Sequence, residues 1–390
     1  MLRLLVITDF DGYFPVRLLQ GIVRYSRLKE QWVVCRMPTA FKNRIGIPGV
    51  VKLARDSGAD AVIGQFEETD DLSLFRENGI LVVALDFKKR FQDIPRITGD
   101  YIGNGQMAAR YFIERGFKHF GFFGFHDLYW SEERCKGFRQ AVEKAGFGDS
   151  LFIYNTPRDN DRLWYDERIK LGLWLRMVPK PIAIMACNDV QGNNLIEACH
   201  IAGIKIPTEV AVMGVNNDEM ICNMGSATLS SIQIDIEGGG YRTAQSIERM
   251  VSNPEAEPEE IVLQPVRIVE RMSTAGYATG DDQIRKALLY IHKNKLKKIS
   301  VKDVMAEVAL SRRLLEKRFR IVTGQSIYQY ISSLRLKHFA HLLQDTAESV
   351  TEIALSLGES DTKSISRRFK QLYGCSPQEW REKSTPGPCR

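Results

Sequence analysis

The stretch 311-SRRLLEKRFRIVTGQS-326 has a second copy about fifty residues further on, 360-SDTKSISRRFKQLYGCS-376. In each copy an apolar residue precedes a phenylalanine by four positions, which is the spacing of one helix face, and a glycine followed two positions later by a serine closes the unit. A shorter apolar helix pattern comes before each copy, at 301–308 and 350–357. Two helices joined by a short turn form a helix-turn-helix, whose second helix fits the major groove of DNA. The repeat therefore predicts two helix-turn-helix units in the tail of the chain.

The predicted second helix of each copy is crowded with cations, which suits it to phosphates and base edges. By helical spacing the candidate DNA contacts are Arg312, Arg313, Glu316 and Lys317 in the first copy and Thr362, Lys363, Ser366, Arg367 and Arg368 in the second. Arginine and lysine bind guanine O6 and N7, whereas glutamate accepts from cytosine N4. About half of these side chains are expected to contact the DNA backbone instead of bases. Arg368 is expected nearer the phosphates, because it is next to the inward-facing Phe369.

The positive charge of the chain is concentrated in this tail. Residues 281–390 contain 21 lysines and arginines against 12 aspartates and glutamates, whereas the whole chain of 390 residues has a formal net charge of +6. The residues before position 281 therefore carry a small net negative charge. This asymmetry predicts double-stranded DNA as the partner of the tail. The alternative is a basic domain whose charge serves only solubility.

Seven scattered cysteines form no CxxC pair and no Cys/His cluster with the spacing of zinc ligands. We therefore expect reduced thiols in a cytosolic protein, with no metal site and no cofactor. The apolar start of the chain meets Asp9 and Asp11 almost at once, which argues against a signal peptide. No run approaches the roughly 18 apolar residues that span a bilayer. The sequence predicts a cytoplasmic location and no membrane partner.

Short apolar runs alternate with amphipathic stretches through about residue 270. The predicted strands are 2–8, 32–37, 61–65, 81–86, 119–125, 182–186 and 210–215. The predicted helices between them include 15–28, 103–115, 132–145 and 190–202. Apolar strands alternating with helices are typical of parallel sheets covered on both faces. The front of the chain is therefore predicted to be α/β.

Two polar stretches divide the chain further. Residues 248–260, with Pro254 and Pro258, predict a surface loop, and the Gly/Asp-rich segment 276–282 predicts a linker. Asp281 or Asp282 can cap a helix over 283–295. The expected domains are therefore 1–275, a linker at 276–282, and an all-α domain over 283–385.

The tail resembles the DNA-binding domain of the AraC/XylS family. The marks of the resemblance are Ser311, Leu315, Phe319 and Gly324 in the first copy, Arg335, Ala340, Leu342 and Leu343 in the connecting helix, and Phe369, Lys370, Gly374, Ser376, Pro377, Trp380 and Arg381 in the second. The resemblance implies a transcription regulator that meets RNA polymerase.

The front of the chain resembles the sugar-sensing core of the LacI/GalR regulators, which is similar to periplasmic sugar-binding proteins. The matching stretches are 100–105, 119–124, 134–138, 187–189, 214–217 and 230–232. A LacI-like sensor ahead of an AraC-type tail is the arrangement of the XylR-type regulators, and 266–274 is especially close to their interdomain stretch. The resemblance implies a two-lobed periplasmic-binding-protein-like α/β sensor followed by an all-α domain with two helix-turn-helix units. It also implies a homodimeric activator whose effector is a monosaccharide, xylose or another pentose.

Carried over by position, the polar candidates for the sugar site are Asp100, Arg134, Asn188 and Asn216. Such side chains bind sugar hydroxyls, while aromatic faces cover the C–H surface. Asn216 replaces an acidic residue common in the LacI-like relatives. Asp189 is either a further contact or the cap of the helix that follows.

The first predicted strand is followed by Asp9, Tyr13 and Phe14, at the end where open parallel sheets bind ligands. Trp130 is a candidate stacking platform, with partial burial in the core as the alternative.

Two other functions stay open at this point. An α/β enzyme with a DNA-binding tail lacks support, because the sequence has no Gly-rich phosphate loop and no GxSxG, and the glycine run at 238–240 is isolated. A sensor that has lost its ligand and serves only for dimerisation is the second alternative.

Overall fold

The computed structural model describes residues 1–9, 12–28, 32–88, 90–91, 93–156, 164–253, 256–295, 297–358 and 361–384. Asp11, Pro254 and Ser360, named above, lie outside the described residues. The chain forms two compact units, Met1–Thr274 and Ala275–Arg390.

The first unit is built on two six-stranded sheets. The strands are β1 Arg3–Ile7, β2 Val33–Met37, β3 Ala61–Gln65, β4 Leu81–Leu85, β5 Arg96–Gly99, β6 His119–Phe125, β7 Leu151–Thr156, β8 Ile182–Ala186, β9 Val210–Asn216, β10 Ser230–Ile234, β11 Glu260–Leu263 and β12 Pro265–Val269. The first sheet has the order β11-β5-β4-β3-β1-β2 and is parallel throughout. The second has the order β12-β10-β9-β8-β6-β7, and its edge strand β12 is antiparallel to β10. We call the two halves the first and the second lobe.

Helices cover both sheets, as the alternating pattern predicts. They are α1 Tyr13–Ser26, α2 Thr39–Asp56, α3 Ser73–Glu77, α4 Tyr101–Glu114, α5 Tyr129–Lys144, α6 Trp164–Met177, α7 Asp189–Ala202, α8 Glu219–Met224 and α9 Ile236–Ser252. Each lobe has its own apolar core, one between the first sheet, α2 and α3, the other between the second sheet, α6 and α7.

The chain crosses between the lobes three times, and the crossing segments are hydrogen-bonded to one another. The backbone N–H of Asp100 donates to the carbonyl of Leu263 at 3.1 Å, and that of Asp235 donates to Gln264 at 3.0 Å. Asp100 and Asp235 also cap the helices that leave two of the crossings, α4 and α9. The three crossings therefore form one hinge at the base of the cleft between the lobes.

Glycines allow the helices after the hinge to pack closely. A Cβ on Gly105 of α4 would lie 2.2 Å from the carbonyl oxygen of Arg134, and a Cβ on Gly240 of α9 would lie 2.0 Å from that of Leu18. The run at 238–240 is thus part of a helix–helix contact between α1 and α9, which explains its glycines without a phosphate loop.

The second unit consists of helices α10 Asp282–Lys293, α11 Val301–Ala306, α12 Arg312–Thr323, α13 Ile327–Asp345, α14 Val350–Ser356, α15 Thr362–Tyr373 and α16 Pro377–Ser384. Two apolar clusters lie in it, one around Leu315 and Phe319 and one around Ile365 and Phe369. Helix α13 contributes to both clusters and so connects the two helix-turn-helix units.

Local signals set the ends of these helices. Gly324 and Gly374 end α12 and α15 in the left-handed conformation, with φ of 73° and 74°, which favours glycine. Ser326 then forms a capping box with Gln329 at the start of α13. The Gly-x-Ser signal of the sequence therefore marks a helix end followed by a helix start.

The predicted ends of individual helices and strands were mostly close, but the loop predicted over 248–260 was wrong. Asp281 caps α10 by accepting from the N–H of Gln283 at 3.0 Å. The stretch 248–260 is not a loop throughout, because α9 continues to Ser252 and β11 begins at Glu260. Strand β11 pairs with β5 in the first sheet, so its place is decided by a distant partner.

Candidate ligand cleft and nucleic-acid interface

The guanidinium of Arg134, on α5, lies close to two aromatic rings. Its carbon lies 5.4 Å from the ring centre of Tyr101 and 5.2 Å from that of Trp130. One terminal nitrogen donates to the carbonyl of Cys187 at 2.6 Å, and the Nε has no partner among the described residues. Arg134 is only 6% exposed, and burial lowers its pKa. A buried donor without an acceptor is costly, so this group is suited to a ligand oxygen.

Tyr101 lies beside Arg134 and interacts with Asp86, and the sequence analysis selected neither residue. Asp86 directly follows β4 and accepts a hydrogen bond from the hydroxyl of Thr98. Burial raises the pKa of Asp86 to about 6. Burial also raises the pKa of Tyr101, and the Asp86 charge adds to this while Arg134 opposes it. The position of Asp86 at the carboxyl end of a parallel strand was the signal that could have found it.

Asn188 and Asp189 follow β8 and have different roles. The side chain of Asn188 caps α7 by accepting from the N–H of Gln191 at 2.9 Å, so the alternative that Asp189 is the cap is wrong. Asp189 is 2% exposed, and its two carboxylate oxygens accept from the hydroxyl of Ser231 at 2.5 Å and the N–H of Asp218 at 2.7 Å. Burial raises the pKa of Asp189 to about 7. Asp189 thus organises the second lobe beneath the cleft.

Two other predicted residues approach this region from opposite lobes. Asn216 ends β9 with a φ of 110°, an uncommon conformation for a residue with a side chain. Tyr13 begins α1 in the first lobe. Burial raises the pKa of Tyr13, Arg17 lowers it, and the charges of Asp218 and Asp189 raise it further. Tyr13 therefore faces the acidic end of the second sheet across the cleft.

The remaining predicted ligand residues are placed differently. Asp100 accepts from the N–H of Gly103 at 2.8 Å and so caps α4 at the hinge. Asp9 is exposed and accepts from the N–H of Thr39 at 3.1 Å. Phe14 is half-buried in the first turn of α1. The structure thus joins Arg134 and Trp130 directly, while the carboxylates of Asp100 and Asp9 hold backbone amides.

Helix α12 presents most of its cations to solvent. Arg312, Arg313 and Lys317 are exposed, as the helical spacing predicts. Glu316 is half-buried, and its carboxylate accepts from the N–H of Ile327 at 3.4 Å. The start of α13 therefore approaches this side of α12, and the groove contact of Glu316 stays a prediction.

A further cation, Arg318, anchors the opposite side of α12. Arg318 pairs with Asp281 at 3.2 Å. The free face of α12 therefore lies between Glu316 and Arg318, and it includes Leu314, which is 37% exposed. Ser311 occupies the N-cap position, although its side chain makes no capping hydrogen bond.

Helix α15 repeats this arrangement with differences. Lys363 and Arg367 are exposed, and Thr362 and Ser366 are half-buried. Arg368 is half-buried and donates to the hydroxyl of Ser332 on α13 at 3.4 Å. Arg368 therefore lies against α13, and the phosphate contact expected from the sequence stays a prediction.

Within the described ranges, no group of three or more His, Cys, Asp or Glu side chains is arranged to hold a metal ion. The helices of the described part of the chain include none long and apolar enough to cross a membrane.

Both units of the chain contain a region that matches a known domain family. Residues 109–274 match the periplasmic binding protein-like domain, and residues 304–383 match a helix-turn-helix domain. The chain has the domain organisation of the XylR-type regulators. The fold class predicted from the sequence, a two-lobed α/β sensor followed by an all-α domain with two helix-turn-helix units, is confirmed.

Individual relatives extend over nearly the whole chain. The "Xylose operon regulatory protein" of Escherichia coli (strain K12) is 26% identical over 388 residues, which is 97% of each protein. The protein of that name from Haemophilus influenzae is 26% identical over 332 residues, 83% of this chain and 84% of the relative. The solved structure of the xylose-binding transcription activator XylR is similar with a TM-score of 0.61 and 23% identity, covering 98% of both chains.

Proposed function

We propose that this chain is a sugar-responsive transcription regulator that activates genes for the use of a pentose, with xylose as the effector. The observation that carries the proposal is the similarity to xylose operon regulatory proteins over 97% of both lengths. This chain matches the periplasmic binding protein-like domain and, after it, the helix-turn-helix domain. The cleft supports this proposal, because the buried Arg134 lies near two aromatic rings and its Nε–H has no acceptor among the described residues.

The proposed ligand site is centred on Arg134. A pentose ring on Trp130 or Tyr101 would offer its hydroxyl oxygens to the Arg134 guanidinium and to the amides of Asn188 and Asn216. Tyr13 contributes from the first lobe. Binding to both lobes favours the closed cleft, and the effect on DNA depends on the difference in sugar affinity between the open and closed states.

The proposed DNA interface consists of the free faces of α12 and α15, with Arg312, Arg313 and Lys317 on the first and Lys363 and Arg367 on the second. The domain limits proposed from the sequence, 1–275 and 283–385 with a linker at 276–282, assign sensing and DNA binding to separate parts. We further propose a homodimer that acts in the cytoplasm and contacts RNA polymerase, since activation requires a contact of that kind.

The experiment combines a sugar titration with a DNA selection. Xylose, ribose and arabinose are titrated by calorimetry and by thermal shift, since a ligand that binds the native state raises its stability. In parallel, the protein selects sites from a random DNA library with and without the sugar that binds. The proposal expects one preferred pentose and an enriched DNA sequence. Silence toward every sugar would favour the dimerisation module, and turnover of a sugar would favour the enzyme.

A further inference from the structure

A chain of hydrogen bonds leads from the cleft to the last residues of the first unit. It begins at Asp189, which accepts from the hydroxyl of Ser231 at 2.5 Å. The same hydroxyl oxygen accepts from the N–H of Asn217 at 3.0 Å. The side-chain oxygen of Asn217 then accepts from a terminal nitrogen of Arg271 at 2.8 Å. Asp189, Ser231 and Asn217 are at most 7% exposed, so the bonds are shielded from water.

The cleft end of this chain is conformationally special. Asn216, a proposed ligand contact, directly precedes Asn217, and their φ angles are 110° and 60°. The φ of Asn216 is uncommon for a residue with a side chain, whereas asparagine adopts a φ near 60° more readily than most residues. A ligand that binds the Asn216 amide therefore acts directly on the backbone segment that positions Asn217.

The far end of the hydrogen-bond chain holds the last residues of the first unit. Arg271 lies four residues before Ala275, where the second unit begins. Its other terminal nitrogen donates to the carbonyl of Leu229 at 3.0 Å, and its N–H donates to Ser230 at 2.8 Å. Thr274, the last residue of the unit, shares a hydrogen bond of 2.7 Å with the same Ser230 hydroxyl. The Arg271 guanidinium thus bridges Asn217, next to the proposed ligand contact, and Leu229, which directly precedes β10. The first residue of β10, Ser230, in turn holds the end of the first unit.

We propose that Arg271 is the positioning residue that couples sugar binding to DNA binding. The inference rests on the proposed function and adds the route by which the sensor acts on the tail. When a bound sugar shifts the 216–217 segment, the hydrogen bond between the Asn217 side-chain oxygen and Arg271 is altered. Arg271 then shifts the residues that lead to Ala275. Coupling of this kind requires an element with discrete arrangements that both sites bias, and a two-armed guanidinium between two acceptors provides one.

The test is Arg271→Lys, which keeps the charge but has one nitrogen where the guanidinium uses two. Xylose affinity is measured by calorimetry on the full chain, and affinity for the selected DNA is measured with and without xylose. Coupling factors are commonly about 5- to 150-fold. We expect Arg271→Lys to bind xylose within about threefold of the wild type while its coupling factor falls toward one.

The matched control is Arg115→Lys. Arg115 pairs with Glu270 at 2.7 Å, is similarly shielded, and holds the same end of the sensor, but this ion pair does not involve the Asn217 segment. The control is expected to keep the wild-type coupling factor. Asn217→Gly provides a second way to break the bond if Arg271→Lys does not fold, because glycine tolerates a φ of 60° and lacks the acceptor.

The outcomes separate the two proposals. Loss of coupling in Arg271→Lys or Asn217→Gly, with coupling retained in Arg115→Lys, supports the inference. Full coupling in a folded Arg271→Lys or Asn217→Gly protein, or equal loss in the control, overturns it and leaves the proposed function standing. A wild-type protein whose DNA affinity does not respond to any pentose overturns both.

Discussion

Replacing Arg134 is the sharpest test of the ligand cleft. One of its nitrogens is bound to the Cys187 carbonyl, and its Nε is buried without a partner among the described residues, so at least one hydrogen bond is available to a sugar. A hydrogen bond to a charged group is worth about 1.5–3 kcal/mol, which corresponds to about tenfold to more than a hundredfold in affinity. Arg134→Ala is therefore expected to weaken xylose binding by at least about tenfold.

Arg134→Lys sharpens this test, because a compact ammonium lacks the planar fork with which the guanidinium reaches the Cys187 carbonyl and a separate sugar oxygen at once. We expect it to bind xylose more weakly than wild type and more tightly than Arg134→Ala. The control is Lys136→Ala on the same helix, whose side chain is 58% exposed. The assay is calorimetry, with the melting temperature confirming that each variant folds. Unchanged xylose affinity in a folded Arg134→Ala protein would refute the assignment of the cleft.

Four further predictions follow from the geometry. Burial raises the pKa of Asp189 to about 7, above its unfolded value of about 3.9, so the folded state binds this proton more tightly. The stability that the protonated Asp189 carboxyl contributes is thus full at low pH and is lost as the pH rises from about 4 to about 7. Asp189→Asn should therefore make the melting temperature depend less on pH over this range. Gly105→Ala should lower both the melting temperature and the xylose affinity, because the added Cβ meets the Arg134 carbonyl, whereas Gly280→Ala meets no atom within 4 Å and should change neither. Arg313→Ala should relax preference at one base and cost about 1–3 kcal/mol on the selected site, and equal weakening on scrambled DNA would contradict base contact. A fragment of residues 275–390 should fold and bind DNA alone, and an unfolded circular dichroism spectrum in the cold would disprove this.

The sequence predicted best the strands that are buried on both faces of a sheet. Strands β3, β6 and β8 have the predicted bounds, because continuous apolar runs between turns indicate strands buried on both faces. Strands β5 and β11 were not predicted. Each has four residues and a charged residue at its start, and they pair with each other across a large sequence separation. Their formation depends on the hinge bringing them together, which no local pattern shows.

The same distinction applies to the candidate sites. Arg134 was selected by position and Trp130 as a stacking aromatic, and the two lie together in the structure. Asp86 and Tyr101 were not selected, because the approach of Tyr101 to Arg134 and to Asp86 depends on the crossing from β5 to α4. Helical periodicity placed Glu316 outward, but periodicity does not include the neighbouring helix that starts beside it.

The hinge explains why Asp100 resembled a ligand residue. Asp100 and Asp235 begin the same pattern, Asp-x-x-Gly-x-Gly, and each carboxylate accepts from the N–H of the first glycine, at 2.8 and 3.0 Å. Each pattern stands where the chain passes from one lobe to the other, so the carboxylate ends the crossing and starts the helix. The aspartate is repeated at two of the three crossings, which a role in capping the helices of the hinge explains. A role in binding sugar would explain an aspartate only at the cleft. Repetition within one chain thus favours a structural role for Asp100 at the hinge, while its contact with a sugar stays a prediction. Arg134 has no such counterpart: the residue in the equivalent helix contact of α1 is Leu18, which has no hydrogen-bonding side chain.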